Sequence, residues 1–311
     1  MTTFSRRHFL GTAAALASGP FFRPALHAIE PLARSGPPRL MPSLAAYSFR
    51  NFFAESNGKP NPKAPSEAAR KMDLFKFIDF CAQHGCAGAE LTAYYLPGDA
   101  GPDYLLALRR HAFLKGVAIS GTAIGNNFSL GRGEKRDQEI ARCKQWIDRA
   151  AVLGAPHIRV FAGQNKELPR EDADKLVIEA LEECCAYAGS KGIFLGLENH
   201  DAIGSAEHLL KLIGGVKSQW LGVNLDSGNF HTPDPYADFA KCIPYAVNVQ
   251  IKTDIRREGA KMVEPTDFPR ILGLLRAAGY QGFVALEYEA PEDPYETVPP
   301  LLKTLGQLMA Q

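Results

Sequence analysis

Short apolar runs alternate with longer amphipathic stretches along the chain from residue 44 to its end. An alternation of this kind predicts repeated βα units and a parallel sheet. The eight predicted strands are 44–49, 87–91, 117–124, 157–161, 193–197, 221–225, 246–251 and 283–286. The eight predicted helices lie near 72–83, 103–114, 135–153, 171–190, 204–213, 236–242, 267–278 and 297–309.

Glycine residues separate most of the predicted helices from the strands that follow them. Gly85, Gly116, Gly154, Gly192 and Gly279 occupy these positions, where a glycine commonly ends a helix. Eight βα units can close into a barrel. An open doubly wound sheet would normally carry a glycine-rich phosphate turn after its first strand, and residues 47–51 contain no such turn. The sequence therefore predicts an α/β protein with one domain, a (β/α)8 TIM barrel over residues 37–311.

The N-terminus has a different pattern from the rest of the chain. Residues 5–10 have the sequence SRRHFL, and an Ala-rich, mildly apolar stretch follows up to residue 22. A basic start before a short apolar run is typical of an export signal, and the run is too short for a membrane span. The arginine pair resembles the twin-arginine export motif. We therefore expect residues 1–36 to be a signal peptide and Pro-rich linker, and the mature protein to be periplasmic without a membrane span.

Composition and charge limit the kinds of molecule that the protein is expected to bind. The chain is 46% hydrophobic and 22% charged with a net charge of +1, which is ordinary for a globular protein with a sizeable core. A nucleic-acid-binding protein would usually show a basic stripe, so nucleic acid is not an expected partner. The six cysteines show no disulfide framework, and we expect most of them to be buried thiols.

Oxygen-bearing side chains occur at the ends of four consecutive predicted strands, the fifth to the eighth. In TIM barrels the active-site residues come from the C-terminal ends of the strands. Three carboxylates at one mouth would repel each other, and a divalent cation would offset that repulsion. An oxygen-rich site suits Mn²⁺ or Mg²⁺ better than a softer metal. The four residues are Glu198, Asp226, Gln250 and Glu287. The alternative interpretation is that these acids form ion pairs with Lys252, Arg159 and Arg256.

Four stretches of the chain resemble the sugar phosphate isomerase/epimerase family of xylose isomerase-like barrels. They are IFLGLENH, LGVNLDSGNF, AVNVQIKTD and GFVALEYE, and the resemblance covers about residues 40–311. In that family Glu, Asp, His and Glu at these strand ends bind a metal, which implies Glu198, Asp226, Gln250 and Glu287 here. Gln250 departs from the family pattern, because the family usually has His at this position. An amide oxygen can still bind a hard metal ion, but it is a poorer ligand than imidazole for a softer one. The resemblance implies a divalent metal, with Mn²⁺ as the first candidate and Mg²⁺, Co²⁺ and Zn²⁺ as the others.

The resemblance also implies a reaction, in which a proton moves on the carbon next to a carbonyl through a metal-stabilised enediolate. Glu198 and Glu287 are the predicted acid/base pair, and Lys252 is the predicted stabiliser of the oxyanion. An Arg six residues after the metal-binding His binds substrate in the family's ketose 3-epimerases, which implies that role for Arg256. The other predicted substrate-binding residues are His200, Arg159, Glu90 and His231, and for each of them a purely structural or solvent-exposed role is the alternative. The expected substrate is a small unphosphorylated carbohydrate, because sugar phosphates are mostly intracellular.

Three other functions stay open to different degrees. An endonuclease IV-like nuclease needs many histidines at its metal site, and this chain has eight in all and a charge unsuited to DNA. A lyase or hydrolase acting on an oxidised sugar would use the same metal and base. A non-catalytic sugar-binding barrel is kept open by Gln250. The sequence does not decide between a monomer and a homo-oligomer.

Overall fold

Eight parallel strands form a closed barrel, and a helix follows each of them in the chain. The computed structural model describes residues 29–311, so the predicted twin-arginine motif lies outside the described residues. The strands are β1 (Arg39–Ala45), β2 (Gly88–Thr92), β3 (Ala118–Ala123), β4 (His157–Val160), β5 (Phe194–Glu198), β6 (Leu221–Asp226), β7 (Ala246–Lys252) and β8 (Gln281–Glu287). The helices are α1 (Leu74–Gln83), α2 (Pro102–Leu114), α3 (Glu134–Leu153), α4 (Arg170–Ser190), α5 (Ala206–Gly215), α6 (Pro235–Cys242), α7 (Phe268–Ala277) and α8 (Pro294–Met309). The predicted single-domain (β/α)8 barrel is confirmed.

The first strand begins earlier than the sequence pattern predicts. β1 starts at Arg39, before the predicted start at residue 44, and residues 46–49 form a 3-10 helix instead of continuing the strand. β1 pairs with β8 from Arg39 opposite Gln281 to Leu44 opposite Leu286. Pro42 lacks an N–H, but its carbonyl still accepts a hydrogen bond from Ala87. Barrel closure therefore makes a strand from a segment whose local composition disfavours one.

Residues before β1 contact the N-terminal end of the barrel. The backbone N–H of Leu32 donates to the carbonyl of Pro244 over 2.8 Å. Arg34 donates to the carbonyl of Ala246, and its guanidinium lies 4.9 Å from the centre of the Tyr280 ring. These contacts extend the folded part of the chain to residues before 37, the predicted start of the barrel.

The predicted helix ends and the predicted state of the cysteines agree with the structure. The five predicted glycines all have positive φ, between +66° and +77°, a conformation that only glycine adopts without strain. All six cysteines are buried and free. None of the helices between residues 29 and 311 combines the length and the hydrophobicity that a membrane crossing requires.

Candidate active site at the barrel mouth

The C-terminal ends of β5 to β8 bring the predicted carboxylates into one buried cluster. Glu198, Asp226 and Glu287 are between 0% and 6% exposed. The strand register separates Gln250 from Glu287, because Gln250 pairs with Asp226 and with Ala285. The residue that pairs with Glu287 is Lys252. The side chain of β7 at the level of Glu287 is therefore the ammonium of Lys252 and not the amide of Gln250.

Gln250 belongs to a closed ring of hydrogen bonds below the mouth, which we call the amide ring. Its Oε1 accepts from Asn224 Nδ2 over 2.6 Å, and its Nε2 donates to Glu90 Oε1 over 2.7 Å. Asn248 Nδ2 completes the ring by donating to Glu90 Oε2 over 2.6 Å and to Asn224 Oδ1 over 2.8 Å. Because a carboxylate only accepts, Glu90 fixes the nitrogen of Gln250 toward itself. The amide oxygen that was predicted to bind a metal therefore points to Asn224.

Asn224 and Asn248, two members of the amide ring, lie one layer deeper in the barrel than the carboxylate cluster. Asn224 and Asn248 precede Asp226 and Gln250 by two residues, so they point to the same side of their strands. Burial and the charge of Glu287 raise the pKa of Glu90 to about 7. Glu90 is completely buried and supports the floor of the mouth, and its role in substrate binding stays a prediction.

Lys252 supplies one of two cations in the carboxylate cluster. Its Nζ lies 2.6 Å from Glu289 Oε1 and 3.4 Å from Asp226 Oδ2, and its side chain is 15% exposed. Burial alone would lower the pKa of Lys252, but the charges of Asp226, Glu287 and Glu289 outweigh it and hold the pKa well above its ordinary value. Lys252 is therefore a cation that lies beside Asp226 and Glu289.

Arg159 supplies the second cation. Its Nε lies 3.0 Å from Glu198 Oε2, and its Nη1 donates to the carbonyl of Ile124 over 2.8 Å. The guanidinium lies 3.9 Å from the centre of the Phe161 ring, a cation–π contact that holds its plane. His200 lies at the rim, with its ring 4.4 Å from that of Phe161 and its Nδ1 3.1 Å from Asp201 Oδ2. The predicted residues Arg159 and His200 thus join one side of the site.

The loop after β6 is shaped around these charged groups. Ser227 Oγ accepts a hydrogen bond from the backbone N–H of Lys252 over 2.9 Å. The N–H of Gly228 donates to Asp226 Oδ1 over 2.7 Å, and a Cβ at Gly228 would lie 2.7 Å from Lys252 Cδ. Asn229 Nδ2 donates to Glu198 Oε1 over 2.9 Å. The sequence DSGN, residues 226–229, therefore helps to position Lys252, Asp226 and Glu198.

Several of these residues were not predicted as part of the site. Asn229 and Glu289 hold Glu198 and Lys252 directly. Asn199 is fully buried and joins β5 to β6, because its Nδ2 donates to the carbonyl of Asp226 and its Oδ1 accepts from the N–H of Asp226. The signal available in the sequence was the period of two along the strands, which places Asn224 and Asn248 beneath the predicted ligands.

Two predicted substrate-binding residues lie outside the cluster. Arg256 is exposed in the loop between β7 and α7, and His231 is exposed in the loop after β6, where its backbone N–H donates to Gly204. Both are on the C-terminal side of the barrel, but neither contacts the three carboxylates in the described part of the chain.

Burial is the main cause of the raised pKa of the three carboxyl groups. It raises the pKa of Glu198, Asp226 and Glu287 to about 7, even though the neighbouring cations act in the opposite direction. Arg159 lowers the pKa of Glu198, and Lys252 lowers those of Asp226 and Glu287. Carboxyl groups with a pKa near neutrality can both accept and donate a proton during a reaction.

The side chains at the mouth do not fit the predicted four-ligand metal site. Glu198 and Asp226 each face a cationic side chain, and the oxygen of Gln250 is bonded in the amide ring. Within residues 29–311, no three Asp, Glu, His or Cys side chains are close enough together to hold a metal ion. The choice of Mn²⁺ stays a prediction from the sequence.

Comparison with known proteins relates this architecture to a family. A family model described as a xylose isomerase-like TIM barrel matches residues 78–305. The fold is similar to that of an IOLI protein with a bound zinc atom, with 17% identity, a TM-score of 0.66, and 87% of this chain and 96% of that chain covered. No curated protein matches the sequence at a significant level.

Two further solved structures share the fold. One is a xylose isomerase-like TIM barrel protein from Mycobacterium smegmatis in complex with magnesium, with 19% identity, a TM-score of 0.64, and 88% of this chain and 96% of that chain covered. The other is D-psicose 3-epimerase from Clostridium cellulolyticum H10 with D-tagatose, with 15% identity, a TM-score of 0.63, and 85% and 89% covered. At these identities the likeness shows a shared barrel, and the metals and the sugar are properties of those proteins.

Proposed function

Because this chain belongs to the xylose isomerase-like TIM barrel family, we propose that it is a carbohydrate isomerase or epimerase that moves a proton on the carbon next to a carbonyl. The observation that carries the proposal is the composition of the mouth. Two buried carboxyl groups with a pKa near 7, Glu198 and Glu287, lie on strands β5 and β8 beside the buried Arg159 and the partly exposed Lys252. Proton transfer needs the carboxyl groups, and the charge that it creates needs the cations.

The side chains of this mouth can carry out each step of that chemistry. One carboxylate takes the proton from the carbon, and the electron pair moves onto the carbonyl oxygen to form an enediolate. Lys252 and Arg159 can donate hydrogen bonds to that oxygen, which stabilises charge that develops only as the reaction proceeds. The second carboxyl group returns a proton to the carbon or to its neighbour. Return from the opposite face gives an epimer, and return to the neighbouring carbon gives an isomer.

The charge of the mouth supports an unphosphorylated substrate. Its two cations already pair with carboxylates: Arg159 pairs with Glu198, and Lys252 with Asp226 and Glu289. A phosphate dianion would have to compete with these carboxylates for both cations. The proposed export of the chain points the same way, because sugar phosphates are mostly intracellular. We therefore propose a neutral sugar or keto-sugar as the substrate.

Solvent exchange tests the proposal directly. The protein is incubated in D₂O with neutral ketoses, aldoses and 3-keto sugars, and the loss of carbon-bound protons is followed by NMR. We expect deuterium to enter the carbon next to the carbonyl of at least one sugar. E198Q and E287Q should each lower the exchange rate by about 10²–10⁴-fold, as expected for loss of a general acid or base. E296Q, at an exposed position on α8, is the matched control and should keep the wild-type rate.

The products separate the rival functions. A product with altered stereochemistry or a shifted carbonyl supports the proposal. A product that has lost water would assign the lyase alternative, in which the same proton abstraction leads to elimination. If no sugar in the panel acquires deuterium although sugars bind, the barrel is a binding protein and the proposal fails.

A further inference from the structure

We propose that Lys252 and Arg159 take the place of a divalent cation at this mouth, so that the protein works without a bound metal ion. A catalytic role for the two side chains, which would stabilise the enediolate oxygen, rests on the proposed function. The absence of a bound metal ion does not rest on it, because that concerns only which cation the carboxylates bind.

Two of the three predicted carboxylate ligands already pair with a cationic side chain. Glu198 Oε2 lies 3.0 Å from Arg159 Nε, and its other oxygen accepts from Asn229. Asp226 Oδ2 lies 3.4 Å from Lys252 Nζ in an ion pair without a hydrogen bond, and its other oxygen accepts from Gly228. Only Glu287 has no ion pair or hydrogen bond among the contacts that the structure describes. One free carboxylate is too few for a metal centre, since catalytic zinc sites use three protein ligands.

Gln250 is held away from the mouth by its own partners. Rotating its oxygen upward would break the bond from Asn224, and would leave the buried donor of Asn224 without an acceptor. The same movement would take the Nε2 away from the Glu90 carboxylate. Both groups are fully buried, and a buried polar group without a partner is destabilising. The amide ring thus removes the fourth ligand from the set.

The position of Lys252 is built into the fold. The residue pairs with Glu287 across the β7–β8 interface, and its backbone N–H is bonded to Ser227 Oγ. Its stem passes directly over Gly228, where a Cβ would come within 2.7 Å of Lys252 Cδ. An ammonium fixed beside Asp226 repels a divalent cation that approaches the same carboxylate. The loop after β6 is therefore shaped for a lysine at the position where a metal would have to bind.

Metal binding by the purified protein tests this inference without any substrate. Elemental analysis measures the metal content of protein purified without chelator, and thermal unfolding is followed with and without millimolar Mn²⁺, Mg²⁺ or Zn²⁺. We expect far less than one divalent ion per chain, and a melting temperature that none of the three ions raises, since a ligand that does not bind the native state cannot stabilise it. One tightly bound ion per wild-type chain, or a clear rise in melting temperature, would overturn the inference.

Variants of Lys252 test whether this side chain is what prevents a metal ion from binding. K252M keeps an apolar stem of similar length and removes the charge, and K261M is the control at an exposed lysine. We expect K252M to bind Mn²⁺ at least about tenfold more tightly than wild type, measured by calorimetric titration, whereas K261M should behave like wild type. The double variant Q250H/K252M supplies the ligand that the family usually has and should bind more tightly still. A folded K252M that gains no affinity for Mn²⁺ would overturn the assignment to Lys252. If K252M does not fold, the wild-type metal content still decides whether the protein is metal-free.

The outcome is separable from the proposed function. Failure of deuterium exchange with every sugar would refute the enzyme and leave the metal measurements unaffected. Exchange that is retained after exhaustive chelation would support both proposals, and exchange that is abolished by chelation and restored by Mn²⁺ would support the enzyme and refute the metal-free mouth.

Discussion

Glu90 offers the sharpest test of the amide ring. Its carboxylate accepts hydrogen bonds from Gln250 and Asn248 at 2.7 and 2.6 Å. Truncation in E90A leaves these two buried donors without that acceptor. Each lost partner costs about 1–3 kcal/mol of stability. Removal of the buried charge of Glu90 offsets part of this cost. We expect E90A to lower the free energy of unfolding by about 2–5 kcal/mol, including the cavity that it opens.

E90Q should be less destabilising than E90A, because the substituted side chain keeps its volume and one acceptor oxygen. That oxygen can accept from Asn248 or from Gln250, and the other donor loses its acceptor. Turning over the amides of Gln250 and Asn224 does not remove this loss, because the nitrogen of Asn224 would then face the nitrogen of Asn248. We therefore expect E90Q to lower the free energy of unfolding by about 1–3 kcal/mol, the cost of one lost partner.

Urea unfolding of the three proteins, followed by circular dichroism, measures both effects. E183A removes an exposed partner of Lys144 and is the control, with an expected change of about 0–1 kcal/mol. Midpoints for E90A and E90Q that both equal that of wild type would refute the reasoning, because the ring would then not contribute to stability. A loss in E90Q as large as that in E90A would show that the charge of Glu90, and not its volume and hydrogen bonds, stabilises the barrel.

Three further predictions concern the loop after β6 and the N-terminus. G228A should destabilise the protein by about 1–3 kcal/mol, because the new Cβ would overlap the stem of Lys252; an unchanged urea midpoint would contradict this. N229A should lower kcat of the exchange reaction by about tenfold with little change in stability, since it removes one hydrogen bond to Glu198 that the structure shows at 2.9 Å; an unchanged kcat would exclude a positioning role. Replacing Arg6 and Arg7 by lysine should leave the precursor in the cytoplasm of a host with twin-arginine export, and unchanged fractionation would refute that route.

Local sequence was sufficient for the architecture. The alternation of apolar runs and amphipathic stretches, with a glycine after most helices, predicts eight βα units because each unit is encoded by short-range patterning. The acidic residues that end the fifth, sixth and eighth strands could be found the same way, since the C-terminal ends of parallel barrel strands meet at one mouth. Even Lys252 and Arg159 were recognisable as neighbours of these acids by their positions on the strands.

Only the tertiary structure decided how these groups are used. The start of β1 depends on pairing with β8, more than 200 residues away, and no local pattern contains that information. Whether the oxygen of Gln250 points up to the mouth or down to Asn224 depends on the register of β7 against its neighbours and on Glu90 across the barrel. Which acid pairs with which cation likewise depends on the distances between side chains of neighbouring strands. Residue types along the chain therefore predicted a charged mouth, while the packing of the closed barrel determined which charges meet.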